Sequence, residues 1–398
     1  MLKQVLALGF TQTIAWASST YLIAILAVPI AADLGSAPST VFGAFSVALI
    51  VMALTGPAAG RAIDRWGGRG VLALSNLVLA GGLVLLGFAS TISALFVAWC
   101  VIGLGMALGL YDAAFAALVR LHGSTARRPI TGITLIAGFA STVGWPLTAV
   151  IAEHFGWRAS CFAWAAMHVA IALPINLYCI PRATRALASA DPGPASPVKD
   201  DDPMDSKRSR HAYRRAFALL VVFGATTSFV TSAMAAHLPG LLLAVGSSNV
   251  AALTAAALLG PAQVAARLLE FLAAQRFRFH PLLTARIATA CHPVGGVILA
   301  AFGGPAVIAS LFTLLHGAGN GMITIAKGTL PLAIFGAEGY GHRQGLLSML
   351  GRGMQAVAPY AFGLVLEGYG AQVAIGLSVT FSVIALAALM GLRPRTEG

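Results

Sequence analysis

Residues 60–69 read GRAIDRWGGR, a short and highly charged segment between two long apolar runs, 39–60 and 70–90. Each run is about as long as the ~20 residues that an α-helix needs to cross a ~30 Å hydrocarbon layer. Such runs are too long for membrane strands, and a closed barrel would show shorter, alternating segments. The charged segment therefore predicts a tight turn between two membrane-spanning helices.

The same alternation of apolar run and polar turn continues through all 398 residues. Hydrophobic residues make up 58% of the chain and charged residues only 10%, whereas a soluble domain carries about 25% charged residues. We therefore predict an all-α integral membrane protein with twelve spans: 5–30, 39–60, 70–90, 92–118, 129–151, 157–180, 216–243, 250–274, 284–303, 305–328, 345–367 and 372–392.

One long polar segment divides these spans into six and six. Residues 181–215 are rich in proline, with an acidic cluster followed by a basic one, and they bury too little apolar surface to fold. We predict two pseudo-symmetric six-helix bundles, 1–180 and 216–398, joined by a flexible cytoplasmic linker, 181–215. Faint internal symmetry supports this division, since GWPLTAVIAEHFGW (144–157) and APYAFGLVLEGYGA (358–371) share a proline, an acid and a glycine at similar spacing.

The net charge of +12 does not indicate a nucleic-acid partner, because the basic residues stand in short gaps between apolar runs. With the N-terminus inside, every basic residue except Arg158 falls on the cytoplasmic side or within a helix, as the positive-inside rule requires. We predict a multi-pass protein of the inner (plasma) membrane with both termini cytoplasmic, and we expect a monomer in the lipid bilayer. The four cysteines have no metal-like spacing, and neither a metal nor a cofactor is expected.

Residues 60–69 resemble the signature loop of the major facilitator superfamily, G-x-x-x-D-R-x-G-R/K-R/K, with Gly68 in place of the first terminal basic residue. The resemblance implies the fold of that superfamily and a gate made of Gly60, Asp64, Arg65 and Arg69. Glycine permits close helix approach, and the charged residues can form pairs that close the cytoplasmic side.

Asp112 lies inside the fourth span and is the one acidic residue within the predicted spans of the first half. In the superfamily, an acidic residue near this position often pairs with the arginine of the signature loop. We interpret Asp112 as a gate partner, with a proton carrier as the alternative.

The second half is similar to the oxalate/formate and monocarboxylate transporter branch, in which basic residues of the eighth and eleventh spans bind carboxylate. Arg267 and Arg352 match those positions. Buried arginines are costly in a membrane and usually face a cavity or a partner. Alternatives are pairing of Arg267 with Glu270 and of Arg352 with Asp64 or Asp112.

Further residues are candidates by position. His316 and His237 can titrate near neutral pH, so they are candidates for both substrate binding and proton coupling, and Asp112 and Glu270 are also proton-coupling candidates. The remaining substrate candidates are Tyr21 in the first span, Trp145 before a proline in the fifth, and Asn320 one turn from His316. Lys327 can either reach the headgroups or contact the substrate.

These observations predict a secondary transporter that works by alternating access. The resemblance implies that its substrate is a small organic anion, moved with protons or exchanged for another anion. The alternative is efflux of a toxic compound, a drug or a metalloid such as arsenite. An enzyme is not expected, because the chain has no nucleophile turn and no metalloprotease helix motif, and it lacks an ATP-binding loop.

Overall fold

The computed structural model describes residues 1–182, 203–277 and 280–392, with only the backbone described for 203–209 and Gln275. All regular structure in these ranges is helical. The apolar runs become helices because a chain in hydrocarbon must satisfy every backbone N–H and C=O internally.

The helices of the first half form six spans. The first four are Leu2–Ala17 with Leu22–Asp33, then Pro38–Trp66, then Gly68–Gly87, then Ile92–Gly109 with Tyr111–His122. The fifth is Arg127–Ile136 with the part of Ala140–Met167 up to Gly156, and the sixth is the rest of that helix with Leu173–Cys179. The second half adds six more: Pro203–Ala244, Asn249–Ala257 with Leu259–Arg276, Pro281–Phe302, Ala306–Phe335, Tyr340–Tyr369 and Ala371–Met390.

Length and hydropathy alone find nine candidate membrane spans in the described residues. One of them, Ile92–Cys179, has 88 residues, about 130 Å of continuous helix at 1.5 Å per residue, and it folds into three spans. The eleventh span is not among the nine, and its polar stretch from His342 to Gln355 lowers its hydropathy. Twelve spans result, as predicted.

The second span ends and the eleventh begins at the same end of the bundle, which we call the Asp64 face. The first span begins and the twelfth ends at this face too, because the spans alternate in direction. Apolar side chains such as Leu54, Phe155 and Val307 are largely exposed on the outside of the bundle. Such an apolar exterior is suited to lipid.

Similar turns close the fifth and eleventh spans. Gly156 (φ 84°, ψ 161°) and Gly370 (φ 83°, ψ 173°) occupy equivalent places in the two halves, each three residues after the acid noted in the sequence. A positive φ near 84° suits glycine, which has no Cβ. The faint sequence symmetry therefore corresponds to a repeated turn.

The C-terminal part of the predicted linker, 181–215, is helical in the structure. A helix begins at Pro203, so residues 203–215 extend the seventh span beyond the predicted bundle boundary. Proline is favourable in the first helical turn, where its missing N–H has no partner to lose. Residues 183–202 lie outside the described residues.

Two of the first-half spans are interrupted at mid-length. The first span breaks at residues 18–21, and the fourth breaks at Leu110, whose backbone is extended (φ −78°, ψ −170°). These breaks place Tyr21 and Asp112 directly beside irregular backbone. Non-helical backbone at membrane depth is tolerated where it is enclosed by protein or lines a cavity.

Candidate functional site

The two halves are joined at the Asp64 face by a carboxylate that caps a helix of the other half. Asp64 accepts hydrogen bonds from the backbone N–H groups of Gly341 at 2.9 Å and His342 at 2.8 Å. Both donors belong to the first turn of the eleventh span, Tyr340–Tyr369. A carboxylate at this position satisfies N–H groups that lack helical partners and interacts favourably with the helix dipole.

Glycines allow this contact by bringing two backbones together. A Cβ placed on Gly60 would collide with the carbonyl of Gly341, and one on Gly345 would collide with the backbone at Gly56. The second and eleventh spans therefore run antiparallel with their main chains in contact. Gly60 thus has the close-approach role expected from the sequence.

The arginines of the signature loop do not pair with Asp64 in this structure, contrary to expectation. Arg65 is exposed and lies over the ring of Trp66, 5.6 Å from its centroid. Arg69 is half-buried and forms no ion pair within the described residues. The physical reason is that the Asp64 carboxylate already accepts hydrogen bonds from the free N–H groups at the start of the eleventh span.

Asp112 and Arg352 form an ion pair across the two halves, with 3.1 Å between Oδ2 and Nη2. The other carboxylate oxygen accepts hydrogen bonds from Gln344 and Ser348, both at 3.0 Å. All three partners belong to the eleventh span. Of the two pairings weighed for Arg352, Asp112 is therefore the one present and Asp64 is not.

Glu270 likewise pairs across the halves. Its carboxylate lies 3.2 Å from Arg127 of the fifth span and accepts a 3.5 Å hydrogen bond from Thr131. The glutamate side chain is only 2% exposed. The pairing of Glu270 with Arg267, weighed from the sequence, does not occur, and so Arg267 has no acidic partner in the described chain.

Arg267 is 6% exposed and donates only to backbone carbonyl groups. Its Nε donates to Gly321 at 3.3 Å, and its Nη1 donates to Thr134 of the other half at 3.1 Å. These two bonds use two of the five guanidinium N–H groups. The group therefore keeps its positive charge uncompensated and retains three donors.

Among the described residues, the hydrogen bonds and ion pairs between the halves begin at the Asp64 face and stop before the opposite end of the bundle. The last one toward the opposite end runs from Ser46 to the carbonyl of Ala356 at 3.5 Å. Ser46 lies eight residues from the start of its helix at Pro38. The halves are thus closed against each other from the Asp64 face.

Aromatic side chains of the first half cluster around the breaks in the first and fourth spans. Tyr21 lies with its ring centroid 6.2 Å from Trp16 and 5.8 Å from Trp145, whose indole N–H donates to the Tyr21 carbonyl at 3.2 Å. Tyr111 lies 4.9 Å from Trp16. Arg267 lies against the fifth span nearby, since its Nη1 donates to Thr134 and a Cβ built on Gly138 would lie 2.7 Å from Nη1. The turn Ala137–Phe139, which includes Gly138, packs on the helix that carries Trp16. Sequence reasoning missed Tyr111, although it directly precedes Asp112 at the break of the fourth span.

The two histidine candidates lie within the second half. His316 is buried and stacks on His292 of the ninth span, with 4.4 Å between ring centroids. His237 shares a 2.7 Å hydrogen bond with the carbonyl of Pro359. Sequence reasoning missed His292, because its proximity to His316 depends on the packing of two helices.

Asn320 and Lys327 of the tenth span both contact the seventh span. Asn320 accepts a 2.9 Å hydrogen bond from Thr231, and Lys327 donates to Ser228 at 2.9 Å. The tenth helix continues to Phe335, so Lys327 lies eight residues inside it, about 12 Å from its end. Lys327 is therefore held within the bundle and does not extend to the headgroups.

A buried polar network supports the break in the first span. Ser18 is 2.7 Å from Nε2 of His168, whose Nδ1 is 2.9 Å from the amide oxygen of Asn76. All three side chains are buried, and His168 begins a π-helical turn, His168–Ala172. Sequence reasoning missed this network, which joins three separate spans.

Comparison with known proteins identifies the family. The model described as Major Facilitator Superfamily matches residues 8–359 of this chain, far more than half of it. This chain belongs to the Major Facilitator Superfamily. It is therefore a multi-pass membrane transporter that acts on small molecules, and not an enzyme, as the sequence predicted.

Solved transporter structures share the fold of this superfamily member. The proton:xylose symporter XylE, bound to 6-bromo-6-deoxy-D-glucose, has a TM-score of 0.76 at 15% identity and covers 99% of this chain and 96% of its own. The human organic anion transporter MFSD10 (TETRAN) has a TM-score of 0.73 at 16% identity, with 97% and 99% covered. FucP, in the outward conformation, has a TM-score of 0.67 at 15% identity, with 96% and 97% covered.

A curated relative is similar over part of the chain. Monocarboxylate transporter 3 of Rattus norvegicus is 32% identical over 130 residues, which are 32% of this chain. The match spans 26% of that relative's length. It agrees with the branch that Arg267 and Arg352 indicated.

Proposed function

We propose that this transporter carries a small organic anion of the carboxylate type by alternating access. The observation that carries the proposal is Arg267, a buried guanidinium without an acidic partner in the described chain. An arginine in a membrane span costs at least about 2.5–3.5 kcal/mol on insertion scales. An anionic ligand offsets that cost during the transport cycle.

The geometry of the remaining donors suits a carboxylate. The bonds to Gly321 and Thr134 leave one N–H on Nη1 and two on Nη2. Adjacent N–H groups on these two nitrogens can bind both oxygens of one carboxylate in parallel. Arg267 therefore serves as the main anion ligand in this proposal.

Arg352 has a different part in the proposal. Asp112 pairs with Arg352 in the closed arrangement, so Arg352 is unavailable to a ligand while the halves meet at the Asp64 face. When the second and eleventh spans separate, the pair breaks and the guanidinium becomes a second anion ligand. Asp112, released from Arg352, is then the proton-coupling candidate of the first half.

The names of relatives support an anionic substrate. One is a monocarboxylate transporter and another an organic anion transporter. The remaining candidates, Tyr21, Trp145, Asn320, His237 and His316, complete the proposed substrate and coupling sites. We propose coupling to protons or exchange for another anion as the source of energy. The positive-inside pattern supports an inner-membrane location with the Asp64 face cytoplasmic.

The test is solute flux in liposomes containing the purified full chain. The panel includes mono- and dicarboxylates, neutral drugs and arsenite, measured for wild type, Arg267→Gln and Arg286→Gln. Arg286 is a matched control, because it also donates only to backbone carbonyls, those of Leu389 and Leu392 within the second half. We expect carboxylate flux that Arg267→Gln abolishes and Arg286→Gln retains.

Two results would contradict the proposal. Normal carboxylate flux in folded Arg267→Gln would remove Arg267 from the site. Flux of neutral drugs or arsenite without any carboxylate flux would replace the proposal with efflux of toxic compounds.

A further inference from the structure

The aromatic side chains beside Arg267 form a continuous row in the first half. Phe115 stacks on Tyr111 at 5.3 Å between centroids, with an interplanar angle of 10°. Tyr111 contacts Trp16, Trp16 contacts Tyr21, and Tyr21 meets Trp145 edge-on at 87°. We call these five residues the aromatic row. It draws on the first, fourth and fifth spans, so no single helix accounts for it.

The row carries hydroxyl groups that the protein leaves unused. Neither the Tyr21 nor the Tyr111 hydroxyl makes a hydrogen bond within the described part of the chain. By contrast, the Tyr340 hydroxyl, at the Asp64 face, donates to the carbonyl of Gly328 at 2.7 Å. Buried phenols usually find such a partner. The two free hydroxyls therefore offer donors to a ligand.

The row and the guanidinium belong to opposite halves of the protein. Arg267 projects from the eighth span and donates to Thr134 of the fifth span, beside the turn Ala137–Phe139 that packs on the helix carrying Trp16. A ligand that contacts both meets donors, from Arg267 and from the two hydroxyls at the edges of the rings, and the flat apolar faces of the rings themselves. Such an arrangement recognises two features of one molecule, a carboxylate and a ring.

A row of aromatic residues can also serve only to pack helices. The cluster of Tyr213, Phe217 and Phe335 at the Asp64 face is an example within this protein. Its nearby cation, Arg343, lies over Phe335 and donates to the carbonyls of Gly336 and Glu338. The aromatic row differs because its phenols, and Arg267 in the opposite half, keep unused donors.

We propose that the substrate is an aromatic carboxylate, whose ring packs on Trp16, Tyr21 and Tyr111 while its carboxylate binds Arg267 and the two phenol hydroxyls. This inference rests on the proposed function and narrows its substrate class. Offset or edge-on ring pairs add favourable energy beyond the area that they bury. A short aliphatic acid uses the same donors but leaves the rings uncovered.

Four probes separate the two features of the ligand. Benzoate carries both, cyclohexanecarboxylate is a matched saturated acid, propionate is a short acid, and benzyl alcohol is a ring without charge. Binding to the purified full chain is measured by calorimetry. We expect benzoate to bind about tenfold or more tightly than propionate and about threefold or more tightly than cyclohexanecarboxylate. Benzyl alcohol should not bind measurably.

Variants test whether the row is responsible. Tyr21→Leu should reduce the preference for benzoate over cyclohexanecarboxylate to less than twofold, whereas Tyr178→Leu, at an outer position that is 82% exposed, should leave it unchanged. Tyr21→Phe keeps the ring and removes only the hydroxyl. It should weaken all three acids and keep the ring preference, which provides a test if Tyr21→Leu fails to fold.

The outcomes distinguish this inference from the proposed function. Equal affinity for benzoate and cyclohexanecarboxylate in wild type overturns the inference while carboxylate transport stands. Binding of benzyl alcohol without binding of any acid overturns both. An unchanged ring preference in folded Tyr21→Leu also overturns the inference, because the row would then be packing alone.

Discussion

Replacement of Asp64 by asparagine should open the Asp64 face. The carboxylate accepts two backbone hydrogen bonds from the eleventh span. Hydrogen bonds to charged groups contribute about 1.5–3 kcal/mol each, and a charge at a helix N-terminus adds about 0.3–1 kcal/mol. Asparagine keeps one acceptor oxygen, so we expect a loss of about 2–3 kcal/mol. At 1.4 kcal/mol per tenfold, the ratio of closed to open protein falls roughly 30- to 140-fold.

The distance between two spin labels measures this change. Gly70 is exposed with no atom near a Cβ built on it, and Glu338 is exposed in the other half, so cysteines at these positions carry labels on the Asp64 face. The four native cysteines are replaced by alanine. In Asp64→Asn we expect a longer distance to gain population at the expense of the short one.

Asp33→Asn provides the matched control. Asp33 pairs with Arg158 at 2.6 Å, at the opposite end of the bundle and within one half. Its loss should leave the label distances unchanged. If Asp64→Asn gives the same distance distribution and the same flux as wild type, the capping contact does not hold the halves together and the reasoning fails.

Three further changes test other contacts. Gly60→Ala should prevent closure and reduce flux, because the added methyl meets the Gly341 carbonyl. Gly70→Ala is its control, since a Cβ at Gly70 has open space, and it should transport normally. A closed label distance in Gly60→Ala would contradict this reasoning. Asp112→Asn and Arg352→Gln should each lower the melting temperature more than the double variant, since a single change strands one partner of the pair; additive losses would argue against coupling. His168→Leu should destabilise the first half by about 2–4 kcal/mol, because Ser18 and Asn76 both lose a buried partner. Exposed His154→Leu is its control, and equal melting temperatures for the two would refute the network's role.

Candidate residues were predictable from the sequence where a charged side chain stands inside an apolar span. Arg267, Arg352 and Asp112 stand out because charge in an apolar run is costly. Their partners were less predictable. Glu270 is one turn from Arg267 in the sequence, yet it pairs with Arg127 of the other half, since partner choice depends on which helices face each other.

The sequence also gave no indication of two uncharged residues beside the candidate site. Tyr111 and His292 are ordinary residues in membrane helices, and only their positions against Trp16 and His316 make them candidates. The hydroxyls, rings and imidazoles that line a site give no signal in a single sequence, because packing and binding use the same residue types.

The sequence by itself determined the helical class, the twelve spans, the division into halves and the resemblance of the signature loop. These follow from apolar length, charge scarcity and local turn chemistry, which act within one segment at a time. Only the tertiary structure decided that Asp64 caps the eleventh span, that Asp112 holds Arg352, and that Arg267 remains without an acidic partner. Each of those outcomes is a competition between partners far apart in the chain, and helix packing decides it by bringing one partner within hydrogen-bond distance and keeping the others away.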